Sequence, residues 1–527
     1  WNHVSQSTGV LVTLLSEAKE DYEFHNLRAS LIAGLAVGMN RHCLILADGV
    51  QNTPLDFRDN CQTVKHPNDI ASFINEFGAH ALSELSKQSS KPPKPPANLI
   101  EQVSIGSAAA ENEFRDLEDY YVDTAEYKAA LEGRGRLVIG RKGSGKTAIF
   151  WRVRDTIRSP NNKTLVVDLK PDGYQLRKFK EMLVKQLSEG TKEHTLTAFW
   201  EYLIYGELIY QIFEDDYKRS YGRDQSVTER LDQLREHYES ILEGREGDFS
   251  ERMMNLLEDV TRRFKAIYGA EAQDQFLTTE QVTDLIYKTN VSDIQTLTLD
   301  YLSHKERTLV LIDNIDKGWG AYGVDTDDVM VVRTLLEALR KISRQASRRE
   351  VEFDWLVFLR NDVFELLVDD QSDRGKEDKI VVDWDSPAAL REVIERRISV
   401  STRGPNNRGA TWADLATQSI DNEDSLDWLL KRSLMRPRYI IQLVNECIGH
   451  ALTSGHPKIT ESDLKHGYRL YSLDIVGNTN FELRDVYPAA YDAIYCLIGS
   501  PRKTTIGNIR KLLTDFGYED GDIPEII

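Results

Sequence analysis

One glycine-rich segment limits the possible folds of this chain more than any other feature. Residues 140–147 read GRKGSGKT, which matches the pattern G-x-x-x-x-G-K-[ST], and they lie between a strand pattern over 136–139 and a helical pattern over 146–155. Glycines let such a loop curl so that its backbone N–H groups point at phosphate oxygens, and the helix directs its N-terminus at the anion. The segment predicts a strand, a phosphate-binding loop and a helix, in that order. The alternative is an ordinary glycine-rich turn.

The side chains of this loop indicate a nucleoside triphosphate with a metal ion. Lys146 supplies positive charge to the β- and γ-phosphates, and the Thr147 hydroxyl is a ligand for Mg²⁺. We therefore expect ATP and Mg²⁺ as cofactors. The predicted nucleotide-binding residues of the loop are Gly140, Lys142, Gly143, Ser144, Gly145, Lys146, Thr147 and Ala148.

An acidic motif follows a buried strand pattern further along the chain. Leu309–Ile312 is apolar and is followed by Asp313, Asn314 and Asp316. We predict Asp313 as a catalytic residue and, together with Thr147, as a Mg²⁺ ligand, because a carboxylate at the end of a strand beside the phosphate loop is placed for the metal. Asn314 cannot accept a proton, so Asp316 is the better candidate for the base that activates water. The alternatives are a turn or capping role for Asp316, slow hydrolysis, or a base from elsewhere.

Three arginines are candidates for contact with the nucleotide. Arg360 follows the strand pattern Trp355–Leu359, where a polar side chain can reach the γ-phosphate. Arg436 and Arg438 flank a proline that starts a predicted helix, and they could touch phosphates from a helical lid. The alternatives are a surface arginine at a strand end and a solvated helix start.

A proline-rich stretch divides the chain. Residues 86–98 read SKQSSKPPKPPAN, which favours an extended, semi-rigid linker. Before it, strand patterns at Val10–Leu15 and Cys43–Ala47 alternate with helical patterns at Tyr22–Met39 and Ile70–Leu85. This alternation favours a parallel sheet with helical crossovers.

After the linker the pattern is also α/β. Strands are predicted at 136–139, 164–169, 308–313, 355–359 and 380–383, and helices dominate from 387 onward. A long helical insertion over 174–302 separates the second strand from the acidic motif. Amphipathic stretches such as Leu203, Leu208, Ile212 and Phe213 favour an interaction element for a protein partner or neighbouring protomer. Packing against the chain's own core is the alternative.

Composition excludes some functions and limits others. The 527 residues carry 66 Lys and Arg against 85 Asp and Glu, so the net charge is −19, which opposes nonspecific binding to DNA or anionic membranes. No run of about 18 apolar residues occurs, and four scattered cysteines are typical of free thiols. We expect a cytoplasmic protein without membrane contact. Because the chain begins with Trp1 rather than Met, we expect a segment of a longer protein.

One predicted helix, over 327–347, is locally basic. A neighbour's nucleotide could receive an arginine finger from such a helix, and DNA could bind there. A solvated helix face is the alternative. The basic residues are Arg333, Arg340, Lys341, Arg344, Arg348 and Arg349.

From about 113 to 466 the chain resembles the ASCE P-loop ATPases of the AAA+ and STAND kinds. The resemblance rests on GRKGSGKT at 140–147, LVLIDNID at 309–316, WLVFLRND at 355–362, IVVDWD at 380–385 and LMRPRYIIQLVN at 434–445. The DNID variant and Arg360 look more like the STAND and KAP-type signalling ATPases than like unfolding machines. The resemblance implies a sheet ordered 5-1-4-3-2, a helical lid, and often a winged helix, which helical patterns at Arg484–Gly499 and Thr504–Phe516 could begin. Prokaryotic members of this kind often act in antiviral defence.

The N-terminal segment resembles the C-terminal half of a nucleoside deoxyribosyltransferase-like or TIR-like domain. The resemblance rests on HNLRASLIAGLAVGMNRHCLILAD at 25–48 and TPLDFRD at 53–59. It implies a carboxylate that acts on an N-glycosidic bond, and the available acids are Glu23, Asp56 and Asp59. A sensor or scaffold without this activity is the alternative.

The expected division of the α/β chain follows from these resemblances. It comprises a partial Rossmann-like lobe over 1–85, a proline-rich linker over 86–112, a P-loop ATPase core over 113–385, a helical lid over 386–475 and the start of a winged helix over 476–527.

Three functions compete. The first is an ATP-hydrolysing switch that forms a homo-oligomer on ATP binding and controls the N-terminal lobe. The second is an ATP-dependent motor or initiator on DNA, and the third is a scaffold that binds ATP without hydrolysing it.

Overall fold

The computed structural model of the chain separates it into two compact units, Trp1–Ala97 and Asn98–Ile527. The boundary falls within the stretch that we predicted as a linker, whose residues 86–97 lie outside the described ranges. Besides the single positions 4, 7, 19, 176, 249, 258, 262 and 266, the structure describes residues 9–16, 22–39, 41–48, 61–64, 69–78, 98–113, 116–158, 163–171, 189–215, 225–242, 251–255, 291–318, 326–369, 378–403, 409–501 and 503–527.

The first unit contains a small parallel sheet with a helix packed on it. Strands β1 (Gly9–Leu14), β2 (His42–Asp48) and β3 (Cys61–Val64) pair in that order, and helix α1 (Tyr22–Gly38) connects the first two. Small residues of α1 lie against the sheet, and a second helical run covers 69–78. The predicted strands, the helix Tyr22–Met39 and the parallel pairing are confirmed.

The second unit is built around a five-stranded parallel sheet in the order β5-β6-β7-β4-β8. When the five strands are numbered 1 to 5 along the chain and the sheet is read from the β8 edge, the order is 5-1-4-3-2, as expected. The strands are nearly continuous apolar runs, as expected when both faces of a parallel sheet are covered. Their bounds are β4 Leu137–Gly140, β5 Thr164–Leu169, β6 Arg307–Ile312, β7 Phe353–Arg360 and β8 Lys379–Val382.

Alternate residues of these strands enter two separate hydrophobic cores. On one face, residues such as Val138 and Leu311 pack against helices α4 (Ala125–Leu131) and α5 (Lys146–Ile157). On the other face, residues such as Ile139 pack with helices α6 (Glu189–Asp215), α7 (Gln225–Leu242), α8 (Val291–Leu302), α9 (Thr326–Ser347) and α10 (Asn361–Asp369). The sheet is therefore covered on both sides, and its carboxyl edge carries the polar motifs.

The described part of the helical insertion belongs to this second core. Leu203, Leu208 and Ile212 of α6 are buried in the core shared with β5, β6 and α9, and Phe213 packs against it. Our prediction that these residues face a partner is therefore wrong. Their apolar face stabilises the chain's own α/β core, because α9 presents an equally apolar face to them.

A helical domain follows the sheet. It comprises α11 (Pro387–Ser401), α12 (Trp412–Leu415), α13 (Ser425–Leu430), α14 (Pro437–Thr453) and α15 (Glu461–Val486), with a short β9–β10 hairpin at Ser419–Ile420 and Glu423–Asp424. Residues 98–113, which we predicted as linker, also belong here. Ile100 of the short helix α2 (Leu99–Gln102) and Ile105 are buried in the core of the helical domain. The linker prediction for 98–112 is therefore corrected.

The C-terminal residues form a small separate core. The helix α15 runs through the predicted domain boundary at 475/476 without a break. The predicted helix Arg484–Gly499 is replaced by 3-10 helices at Pro488–Ala490 and Ala493–Leu497, since proline cannot continue a helix ladder and Asp492 adopts a positive φ. The helix pattern over 504–516 is confirmed as α16 (Ile506–Phe516), which a short helix, α17 (Ile523–Ile526), follows. Across the described residues, no helix combines the length and apolar character that a membrane span requires.

Candidate functional site

The glycine-rich loop has the backbone that a phosphate-binding loop requires. Gly143 and Gly145 adopt φ values of +80° and +98°, which L side chains rarely accept. A Cβ on Gly140 would stand 2.6 Å from the Ser144 hydroxyl and 2.8 Å from the Val382 carbonyl oxygen. The loop ends at Gly145, directly before α5 begins at Lys146. The cradle is therefore closed to side chains and faces the helix N-terminus.

Lys146 is held inside the loop. Its ammonium donates hydrogen bonds to the backbone oxygens of Gly140 at 2.7 Å and Arg141 at 3.1 Å. Burial lowers the pKa of Lys146 to about 8, although the nearby carboxylates of Asp316 and Asp313 oppose this shift. The hydrogen bonds of this cation go to neutral backbone carbonyls. A phosphate oxygen would form a stronger, charge-assisted hydrogen bond with it.

Thr147 and Asp313 lie together at the edge of the sheet. The Thr147 hydroxyl donates a hydrogen bond of 3.1 Å to Asp313 Oδ2, and Asp313 is 3% exposed, directly after β6. A hydroxyl and a carboxylate are the oxygen ligands that Mg²⁺ prefers, so the residues present fit this metal. The ammonium of Lys170 lies 3.4 Å from the same Asp313 oxygen.

Asn314 and Asp316, which follow Asp313, differ in backbone conformation and environment. Asn314 adopts a φ of +67°, and its backbone N–H donates to Asp313 Oδ1 at 3.0 Å. Asp316 lies in the 3-10 turn Ile315–Gly318, where burial raises the pKa of its carboxyl despite the opposing charges of Arg360 and Lys146. A raised pKa suits a group that accepts a proton from water.

Arg360 joins two carboxylates beside the loop. Its guanidinium Nε lies 3.7 Å from Asp316 Oδ2, and the same group donates two hydrogen bonds to Asp362, of 3.0 and 2.5 Å. Arg360 is the last residue of β7, so the strand end fixes its backbone. The predicted sensing arginine is therefore close to the predicted base.

The helical domain meets the loop through its two arginines. The backbone N–H of Arg438 donates to the Gly143 carbonyl at 3.3 Å, and the Arg436 guanidinium donates to the Lys142 carbonyl at 3.2 Å. Arg436 also lies 3.6 Å from Glu482 of α15. Arg438 lines the cavity described below, whereas Arg436 supports the loop backbone.

A cavity of about 370 Å³ lies above the loop. It brings together the loop, the acidic motif, Arg360 and the helical domain. Its polar lining residues include Lys142, Lys146, Thr147, Asp313, Asn314, Asp316, Arg360, Asp362, Arg438, Glu111, Glu113 and Arg397.

Part of this lining has no local signal in the sequence. Glu113 and Arg397 form a buried ion pair at 2.8 Å, although 284 residues separate them, so no local pattern could indicate it. A second cavity of about 60 Å³ shares lining residues with the first and is bounded by flat or apolar side chains, among them Tyr120, Trp384 and Ile441. Its lining would suit a planar base beside the phosphates.

Most basic residues in and directly after helix α9 pair with carboxylates of the same chain. Lys341 pairs with Glu201 at 2.5 Å, and Arg333 pairs with Glu193; both glutamates belong to α6. Arg340 and Arg344 pair with Glu337, and Arg349 pairs with Asp300. These contacts compete with an arginine-finger or DNA-binding role for the helix.

Comparisons with known proteins add three findings. Residues 388–479, most of the helical domain, match the model of the FunZ-associated C-terminal helical domain. The chain is 23% identical over 392 residues, 73% of its length, to a putative transposon gamma-delta 80.3 kDa protein of Escherichia coli strain K12, and it spans 52% of that relative. It is also similar to the Aeropyrum pernix ORC1 protein solved in complex with DNA, with 12% identity, a TM-score of 0.30, and coverage of 76% of this chain and 80% of that chain.

Proposed function

We propose that this chain binds and hydrolyses ATP with Mg²⁺ and acts as a STAND- or AAA+-like switch. One observation carries the proposal. The loop lysine Lys146, the pair Thr147–Asp313, the pair Asp316–Arg360 and the helical-domain residue Arg438 all line one cavity. This set supplies a phosphate cradle, metal ligands, a base and two cations in one place.

Each residue has a distinct task in the proposed reaction. The loop and Lys146 bind the β- and γ-phosphates, and Thr147 and Asp313 hold Mg²⁺, which when bound offsets charge on the phosphates. Asp316 accepts the proton of the attacking water. Arg360 and Arg438 stabilise the negative charge that grows on the γ-phosphate.

The switch itself follows from the contacts between the loop and the helical domain. Since the Arg438 N–H bonds to Gly143, a loop that closes on phosphate changes the position of α14. We propose that this change promotes homo-oligomerisation in the cytoplasm and controls the first unit, and that the switch acts in antiviral defence. Glu23 is exposed at the start of α1, whereas Asp56 and Asp59 lie outside the described residues. Cleavage of an N-glycosidic bond by this unit stays a prediction.

Two variants and a control test the ATPase proposal. Lys146→Ala should abolish binding of a fluorescent ATP analogue, because the charge-assisted phosphate contact is lost while no core residue changes. Asp313→Asn should retain binding but lose phosphate release, since the metal loses a charged ligand. Lys163→Ala changes an exposed lysine paired with Glu306 and should behave like the parent. Parental binding by Lys146→Ala would contradict the site.

The switch is tested by the molar mass in solution. Light scattering with ATP and Mg²⁺ should give a larger assembly than without nucleotide, and Lys146→Ala should remain at the smaller mass. An unchanged mass in a parent that hydrolyses ATP would reject assembly and retain the ATPase.

A role on DNA is the second candidate. The observation that favours it is the relative, whose name refers to a transposon. The net charge of −19 and the internal ion pairs of α9 oppose it. Binding to a labelled duplex that weakens steeply with salt would support this candidate over the switch.

A further inference from the structure

Lys170 is fixed beside the phosphate loop without lining the cavity. It follows the last residue of β5, and its ammonium lies 3.4 Å from Asp313 Oδ2. The same ammonium lies 4.3 Å from the ring centre of Phe150 and 3.9 Å from that of Trp151, both on α5. The ammonium thus contacts the Asp313 carboxylate and two aromatic rings at the same time.

Two other cations that line the cavity pair with carboxylates other than Asp313. Arg360 is bound to Asp362 and lies near Asp316, and Arg397 is bound to Glu113. Asp313 is thus paired at short range with Lys170, whose ammonium also lies over two aromatic rings. Lys170 is therefore the cation paired with Asp313, whereas Lys146 lies in the loop, where the proposed site places the phosphates.

We propose that Lys170 is a positioning residue that acts as a resident counter-ion for Asp313, so that the site binds nucleoside triphosphate with little dependence on Mg²⁺. The inference rests on the proposed ATP site. An uncompensated Asp313 would repel the anionic triphosphate, and Mg²⁺ would have to offset this repulsion before the nucleotide could bind. Lys170 offsets it in advance, and it shares the Asp313 oxygen that Thr147 also contacts.

Nucleotide affinity with and without metal tests this role. The dissociation constant of ATP is measured by displacement of a fluorescent analogue, once with Mg²⁺ and once with EDTA, at a pH near 7, where Lys146 with its pKa of about 8 carries its charge. Lys170→Met keeps the length and the packing on the rings but removes the charge, and Lys170→Arg keeps the charge. Lys305→Met is the matched control, because Lys305 also lies over an aromatic ring, that of Tyr301 at 6.0 Å, away from the cavity.

We expect the ratio of the EDTA and Mg²⁺ dissociation constants to rise at least about tenfold in Lys170→Met. Lys170→Arg and Lys305→Met should keep the parental ratio. A purely structural role would weaken binding equally in both conditions, so an unchanged ratio in Lys170→Met overturns the inference while the ATP site stands. A parent that fails to bind ATP even with Mg²⁺ overturns the ATP site and, with it, the inference.

Discussion

The buried pair Glu113–Arg397 gives the sharpest prediction about stability. The two side chains are 7% and 8% exposed, and Arg397 donates to both Glu113 oxygens, at 3.0 and 2.8 Å, and to the Ile105 carbonyl at 2.6 Å. The Ser107 N–H donates to the same carboxylate, and the Tyr120 ring lies 4.3 Å from the guanidinium. Each charge is therefore largely enclosed by the other, by polar atoms and by the Tyr120 ring.

Removal of one partner should leave the other charge buried and unpaired. A single Glu113→Leu or Arg397→Met change should each lower the free energy of unfolding by about 3–5 kcal/mol, as is typical of broken buried pairs. The double variant should be much more stable than the sum of the two losses predicts, because neither charge remains and the Met side chain still packs on the Tyr120 ring. The coupling energy between the two residues should exceed half of the summed loss of the two single variants.

Urea denaturation followed by tryptophan fluorescence measures these losses. Trp412 and Trp428 are buried in the same core as residues 98–113, so they report on the helical domain. The control is Arg396→Met, which removes the half-exposed pair with Glu392 at 2.7 Å and the hydrogen bond that Arg396 donates to the Tyr121 carbonyl at 2.5 Å. An exposed pair contributes about 0.5 kcal/mol and a single hydrogen bond about 1 kcal/mol, so the control should lose less than either single variant of the buried pair.

Two results would refute the reasoning. Single variants that lose no more than the Arg396 control would mean that water reaches the pair and screens it. Additive losses in the double variant would mean that each residue acts through packing rather than through the other's charge.

Other changes have equally definite expectations. Asp316→Asn should lower phosphate release by about 10²–10⁴-fold and more than Asn314→Ala does, since only the carboxylate accepts a proton; the reverse order would assign water positioning to the amide. Arg438→Ala should weaken ATP binding about tenfold in a fluorescence titration, and an unchanged affinity would remove this arginine from the phosphate contacts. Burial opposes ionisation of Asp463, yet hydrogen bonds from Thr460, His450 and His456 hold the pKa of Asp463 at about 2. Its stabilising effect should be complete above the unfolded pKa of about 3.9 and should be lost as the pH falls toward 2; Asp463→Asn should flatten this acid transition in circular dichroism, and an unaltered transition would contradict the role of the carboxylate.

The sequence predicted the parts of the molecule that local chemistry specifies. The loop requires glycines at 143 and 145 because of their positive φ, and the core strands are recognisable as apolar runs such as Leu309–Ile312. Placing Asp313 and Arg360 at the same sheet edge follows from the parallel order, since parallel strands end on one side. Their proximity at the carboxyl edge of the sheet could therefore be predicted before the structure.

The sequence could not predict what depends on distant partners. Residues 98–113 mix apolar, small and polar side chains without periodicity. Their contacts come from the core around Ile100 and Ile105, from Arg397, and from Asn445, which donates to the Gly106 carbonyl at 2.8 Å. The apolar stripe of α6 could be recognised in the sequence. Whether it packs on a partner protein or on its own chain could not, because that depends on the distant helix α9. The pairing of Arg360 with Asp316 depends on a 3-10 turn that no pattern indicated.

The union of α6 and α9 limits how this protein can be divided or recombined. Trp200 of α6 donates its indole N–H to the Val331 carbonyl at 3.1 Å, and the Tyr205 hydroxyl donates to Gln345 at 2.9 Å. Excision of 174–302 would uncover the apolar side of α9 and should yield insoluble protein rather than a minimal ATPase. A chimaera with a homologous protein should therefore exchange both helices as one unit, and two lineages that diverge in one of them should show compensating changes in the other.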